Sequence, residues 1–111
     1  MAHACRGVFH LVRTQPNARI HVLATMGTVA LGVWLNISPL EWAVLALAIG
    51  LVLCAEALNT AIEHVVDLVS PQWHPLARDA KDVAAGAVLL ASLAALGVGA
   101  GVFGTRLWAM L

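Results

Sequence analysis

The composition of this 111-residue chain excludes an ordinary water-soluble domain, because 61% of its residues are hydrophobic and only 11% are charged. Lys and Arg together number 6, as do Asp and Glu, so the formal net charge is zero and no dense basic surface can form. A nucleic-acid partner, whose phosphates need many neutralising cations, is therefore not expected. These features predict a single integral membrane domain over residues 1–111.

The first predicted element is a short, partly amphipathic helix at about residues 3–16, in which apolar side chains lie among basic ones. Phe9 and Leu11 are among the apolar residues, and Arg6 and Arg13 are the basic ones. A helix of this kind is typical of segments that lie on a membrane surface. We therefore expect an N-terminal surface helix.

Three apolar stretches follow, each suited to a hydrocarbon core that about 20 helical residues can cross. The sequence predicts transmembrane helices at about residues 20–37, 42–69 and 83–103. Turn-forming residues break the chain between them, at Asn36 to Pro39 and at Ser70 to Pro75. The predicted fold class is therefore an all-α membrane protein with three transmembrane helices and an N-terminal amphipathic surface helix.

The basic residues predict how the chain is oriented in the membrane. Those before the first span are Arg6, Arg13 and Arg19, and those between the second and third spans are Arg78 and Lys81. The loop between the first two spans has no Lys or Arg. By the positive-inside rule, the N-terminus and the second loop are expected in the cytoplasm.

The second span contains ionisable residues. Because charged groups are energetically costly in a membrane helix, such residues usually have a functional role. Glu56, Asn59, Glu63 and Asp67 recur at helical spacing and so share one face. Their oxygens could hold a divalent cation such as Mg²⁺, or a proton. The face could instead simply meet water near the cytoplasm. That explanation suits Asp67 better than Glu56, which follows a long uncharged run.

A second polar cluster, Arg78 to Asp82, is predicted in the loop at the same membrane level. Lysine and carboxylate-held Mg²⁺ can together handle phosphate groups. The chain has no G-x-x-x-x-G-K-[ST] loop, which excludes the common nucleotide-binding folds. On residue type alone, Arg78 and Lys81 are better explained as topology determinants than as ligands. The spacing thus indicates a polar site at the membrane interface and no more.

Two motifs extend this interpretation: E-A-L-N-T-A-I-E-H-V-V-D over residues 56–67, and A-K-D over residues 80–82 after His74 and Pro75. Together they closely resemble the prokaryotic diacylglycerol kinase family, and within it the undecaprenol kinase branch. With residues 17–21, the resemblance covers nearly the whole chain. It implies a homotrimer of three-helix subunits whose active sites, composed at subunit interfaces, take MgATP from the cytoplasm and a lipid alcohol from the bilayer.

The resemblance implies an ATP-dependent lipid kinase of the bacterial inner membrane, with its N-terminus and active site in the cytoplasm. Such an enzyme transfers the γ-phosphate of ATP to the hydroxyl of undecaprenol or diacylglycerol, and both substrates stay open at this point. The alternative is a proton- or ion-conducting small membrane subunit that uses Glu56. This alternative leaves Asn59, Glu63 and the pair of Lys81 and Asp82 without a role.

The family motifs also imply roles for the residues of the second span. Glu56 matches the general base, Glu63 a Mg²⁺ ligand, and Asn59 a residue that positions the metal or a phosphate. Asp67 matches an acidic position with a partly structural role. Gln15 stands where the family pattern T-E-R-N has an acidic metal ligand, so it can offer only a neutral oxygen.

The remaining implied roles concern the nucleotide. Lys81 and Asp82 match residues of the ATP site, where the lysine counters phosphate charge, and His74 matches a position close to the nucleotide. The expected cofactor is Mg²⁺, with ATP as co-substrate.

Overall fold

The computed structural model describes all 111 residues, and every regular element in it is an α-helix. In chain order the helices are α1 (Ala2–Thr14), α2 (Pro16–Leu35), α3 (Pro39–Val69) and α4 (Pro75–Ala109). The last three are each long and apolar enough to cross a membrane. The prediction of an all-α fold with three membrane helices is therefore confirmed.

Local signals set the turn between α2 and α3. Asn36 follows α2 in the left-handed conformation, with φ 53° and ψ 53°, which ends the helix. Ser38 and Glu41 form a capping box, in which each side chain accepts a hydrogen bond from the backbone N–H of the other. The predicted span at about residues 20–37 thus runs past the end of α2, because the turn begins at Asn36.

The fourth helix begins at Pro75, earlier than the predicted start near residue 83. His74 caps it, since its Nδ1 accepts a hydrogen bond from the backbone N–H of Leu76 at 3.1 Å. Arg78 to Asp82 therefore lie in the first turns of a helix, and the prediction that they lie in a loop is wrong. The 35 residues of α4 rise about 52 Å, more than a hydrocarbon core of about 30 Å. One helix can thus carry both the polar cluster and the apolar span.

The main packing of the molecule is between α3 and α4, with α2 against α3. A small apolar core, formed by Ile37, Leu45 and Val102, lies at the end of the bundle where α2 turns into α3. Arg106 near the end of α4 pairs with Glu41 at the start of α3. This ion pair ties the same end of the bundle together.

Helix α1 packs beside the end of α3 that lies away from the apolar core and the Arg106–Glu41 pair. The rings of His10 and His64 lie with centroids 5.9 Å apart, and Leu11 is buried. The location of α1 on a membrane surface stays a prediction.

Gly32 allows α2 to approach the indole ring of Trp42. A Cβ atom at residue 32 would lie 2.6 Å from Cη2 of Trp42. We therefore expect Gly32→Ala to destabilise the protein by about 1–3 kcal/mol through overpacking. A Cβ atom at Gly50 would meet nothing within 4 Å, so Gly50→Ala is the matched control. Unfolding in SDS from the same lipid mixture measures both, and equal midpoints would contradict this interpretation.

Candidate active site

The four predicted site residues of α3 become more exposed toward the turn between α3 and α4. Glu56 is buried, with 3% of its surface exposed. Asn59 and Glu63 are half-buried, and Asp67 is exposed. The face that they share therefore leads from a buried carboxylate to groups in contact with solvent.

The buried carboxylate of Glu56 contacts a histidine from α2. His21 Nε2 lies 3.2 Å from Glu56 Oε1, and the side chain of His21 is 26% exposed. Thr60 is also buried near Glu56, but its hydroxyl donates to the backbone carbonyl of Glu56 at 3.0 Å. The hydroxyl of Thr60 therefore makes no hydrogen bond to the carboxylate, which contacts His21 instead. The family motif included His21 without a role, and nothing in the sequence pattern pairs it with Glu56.

Asn59 has a buried side-chain oxygen, Oδ1, with no hydrogen-bond partner. Buried polar atoms without partners are uncommon in proteins and ask for an explanation. An amide oxygen can accept a hydrogen bond or bind a hard cation. The acceptor capacity of this atom is therefore unused within the protein.

The oxygen-rich face of α3 fits a Mg²⁺ ion that is completed by other groups. No three His, Cys, Asp or Glu side chains are grouped so that they could hold a metal ion. Mg²⁺, however, is commonly bound by one or two carboxylates together with substrate phosphates and water. Glu63 and the free oxygen of Asn59 are donors of this type.

The turn between α3 and α4 brings four of the predicted residues together. A polar cavity of about 280 Å³ is lined by Asp67, His74, Lys81 and Asp82, among others. Lys81 Nζ lies 2.5 Å from Asp67 Oδ1, and Arg78 pairs with Asp82 at 3.8 Å. Both cations thus have carboxylate partners within this cavity, which we call the polar cleft.

Glu56 and Gln15 do not lie in the polar cleft. Along α3, Glu56 is about three turns, or roughly 16 Å, from Asp67. Gln15 is half-buried between α1 and α2, and no hydrogen bond joins its side chain to Glu56 or Glu63. Its role as a metal ligand stays a prediction.

Two apolar cavities run along α3, on different sides of the helix pair that it forms with α4. The smaller, of about 400 Å³, lies between α2, α3 and α4 and includes His21 and Phe103 in its wall. The larger, of about 960 Å³, lies between α3 and α4 and includes Asn59 and Asp79. Only the smaller cavity reaches the histidine that contacts Glu56. We call it the α2 cavity, and the larger one the α4 groove.

Comparison with known proteins adds family membership to this geometry. The family model described as prokaryotic diacylglycerol kinase matches residues 2–103. The chain belongs to this family. It is 41% identical to the undecaprenol kinase of Bacillus subtilis over 101 residues, which are 91% of this chain and 82% of that protein.

Two diacylglycerol kinases are also similar to the chain. The protein of Synechocystis sp. is 47% identical over 98 residues, which are 87% of this chain and 56% of that protein. The protein of Escherichia coli K12 is 35% identical over 74 residues, which are 67% and 61% of the two chains. The matched part thus spans less than two thirds of each of these two diacylglycerol kinases.

These matches confirm the predicted resemblance to the family and to its undecaprenol kinase branch. They also confirm the predicted enzyme class, the ATP-dependent lipid kinases. Together with the three apolar helices, family membership identifies a multi-pass membrane protein. Neither the structure nor the relatives support the alternative of an ion-conducting subunit.

Proposed function

We propose that the protein transfers the γ-phosphate of ATP to the hydroxyl of undecaprenol, with diacylglycerol as the second candidate substrate. The observation that carries this proposal is the buried carboxylate of Glu56, which contacts His21 in the wall of an apolar cavity, in a member of a lipid kinase family. The preference for undecaprenol is supported by the similarity to the Bacillus subtilis enzyme, most of whose length is matched.

In the proposed reaction, the lipid hydroxyl oxygen attacks the γ-phosphorus and a new P–O bond forms. The bond from the γ-phosphorus to the β,γ-bridging oxygen breaks, and its electron pair leaves with ADP. The carboxylate of Glu56 accepts the hydroxyl proton, which is a task suited to a buried carboxylate that contacts the wall of an apolar cavity through His21. The products are the lipid phosphate and ADP.

Charge on the phosphates would be countered by a Mg²⁺ ion held on α3 and by Lys81 of α4. A Mg²⁺ ion, when bound, would neutralise charge that develops on the transferred group. Glu63 would hold this ion, and Asn59 would offer its free oxygen to the ion or to a phosphate-bound water. Gln15 could add a neutral oxygen.

The polar cleft would hold the rest of the nucleotide. Lys81 would meet phosphate charge, and Asp67 would orient the ammonium group through their contact. His74 and Asp82 line the same cleft and would lie beside the nucleotide. A bound phosphate would then replace Asp67 as the partner of Lys81, or would contact the ammonium group together with Asp67.

We also propose the location and assembly that the sequence predicts. The protein would be a homotrimer in the bacterial inner membrane, with α1 on the membrane surface and the active site facing the cytoplasm. The distribution of Lys and Arg supports this orientation. The family resemblance supports the trimer, and cross-linking in lipid vesicles would test it.

The α2 cavity is the proposed path of the lipid chain, because His21, which contacts Glu56, lies in its wall. Ala24 lines this cavity and Ala87 lines the α4 groove, and both are exposed. We expect Ala24→Phe to raise the KM for lipid by about tenfold or more, with the KM for ATP unchanged. Ala87→Phe should have little effect. A raised lipid KM in Ala87→Phe alone would assign the lipid to the α4 groove.

The function is tested with purified protein in lipid vesicles, Mg²⁺ and ATP labelled at the γ-phosphate. Undecaprenol and diacylglycerol are supplied separately, and the extracted lipids are examined for label. We expect label in undecaprenol phosphate at the higher rate. Folded protein that labels neither lipid would overturn the proposal.

A further inference from the structure

The carboxylate of Glu56 has a single polar side chain within reach, and it comes from another helix. His21 of α2 is 3.2 Å away, and no other side chain forms a hydrogen bond or ion pair with this group. The side chain of Glu56 is 4% exposed, so water has little access to it. Its direction is therefore set chiefly by His21.

The direction of a general base matters for its reaction. A base must lie within hydrogen-bond distance of the proton that it accepts, and misplacement by about 1 Å can cost 10²-fold in rate. A glutamate on a helix has several rotatable bonds and would otherwise sample other directions. In a buried site a hydrogen bond to a charged acceptor is also stronger than in water.

We propose that His21 is a positioning residue that holds Glu56 for catalysis. The 3.2 Å contact joins Nε2 of His21 to Oε1 of Glu56, so that the other carboxylate oxygen is free to accept the proton of the lipid hydroxyl. His21 also lies in the wall of the α2 cavity, next to the proposed lipid path. This inference rests on the proposed function.

The test compares three variants in the lipid kinase assay. His21→Leu removes the donor, and we expect kcat to fall by about 10- to 100-fold with the KM for ATP little changed. His21→Gln places an amide N–H at a similar distance from the backbone and should recover most of that loss. His10→Leu is the control, because it removes a histidine that packs on α3 far from Glu56. Wild-type activity in His21→Leu, or an equal loss in His21→Gln and His21→Leu, would overturn the inference.

A double-mutant cycle shows whether His21 acts through Glu56. In the Glu56→Gln background there is no base to position, so His21→Leu should lower the residual rate much less than it lowers the wild-type rate. The same fold-loss in both backgrounds would mean that His21 acts independently of Glu56, which would contradict its positioning role.

A spectroscopic measurement separates this inference from the function on which it rests. In protein labelled with ¹⁵N at histidine, Glu56→Gln should shift the Nε2 resonance of His21 and leave that of His10 unchanged. An unchanged His21 resonance would overturn the proposed contact, whatever the activity. If the resonance shifts but the wild-type protein phosphorylates no lipid, the contact stands and the proposed function and catalytic role fail.

Discussion

Glu56→Gln is expected to lower kcat by about 10²- to 10⁴-fold and to leave the protein folded. The amide keeps the volume of the side chain but cannot accept the proton of the lipid hydroxyl. Glu56 is buried, and a neutral group is easier to bury than a carboxylate, so the fold should tolerate the change. Turnover is measured with labelled ATP, and folding by circular dichroism and gel filtration in the same detergent.

Glu63→Gln is the matched control for this experiment, since it makes the same chemical change two turns further along α3. Loss of a charged ligand should raise the Mg²⁺ concentration that gives half-maximal rate. High Mg²⁺ should therefore restore much of the rate of Glu63→Gln but not that of Glu56→Gln. If folded Glu56→Gln turns over within a few-fold of wild type, Glu56 is not the base.

The membrane helices were predictable because long apolar runs and turn residues are local signals. The capping box of α3 is equally local, since Ser38 and Glu41 lie three residues apart. The predicted start of α4 was wrong because the charged residues near Lys81 were interpreted as part of a loop. Helices can extend beyond the hydrocarbon core, so charge marks where the membrane ends and not where the helix ends.

The face of α3 was predictable in the same way, because its residues follow the helical period. Contacts between helices were not, since they depend on how the helices pack. The contact of His21 with Glu56 and the pair of Arg106 with Glu41 each join residues with no common motif. The free oxygen of Asn59 likewise appears only when its surroundings are known.

The polar cleft shows what the structure adds to a residue that the sequence analysis singled out. Lys81 was expected at the nucleotide, and the structure adds its contact with Asp67. That contact can hold the ammonium group in place before a phosphate arrives. It also means that removal of Lys81 leaves a carboxylate unpaired in the cleft, which would repel the phosphates of ATP.

Lys81→Met is therefore expected to lower kcat/KM for ATP by about 10²- to 10³-fold, which is typical for loss of one group that stabilises developing charge. Both kcat and KM should change, since the lysine meets phosphate in the ground state and in the transition state. The KM for lipid should stay within a few-fold of wild type. The pair with Asp67 is largely exposed, so its loss should affect stability little.

Arg78→Met is the control for Lys81→Met, because it removes one positive charge from the same first turns of α4. Arg78 is paired with Asp82, and both side chains are well exposed. If these cations serve only to orient the chain in the membrane, the two variants should lose activity together and should show altered protease accessibility in vesicles. If Lys81 meets the nucleotide as proposed, ATP titrations should show a much larger loss for Lys81→Met, with both proteins inserted in the wild-type orientation. A loss in Lys81→Met confined to the KM for lipid would remove Lys81 from the nucleotide site.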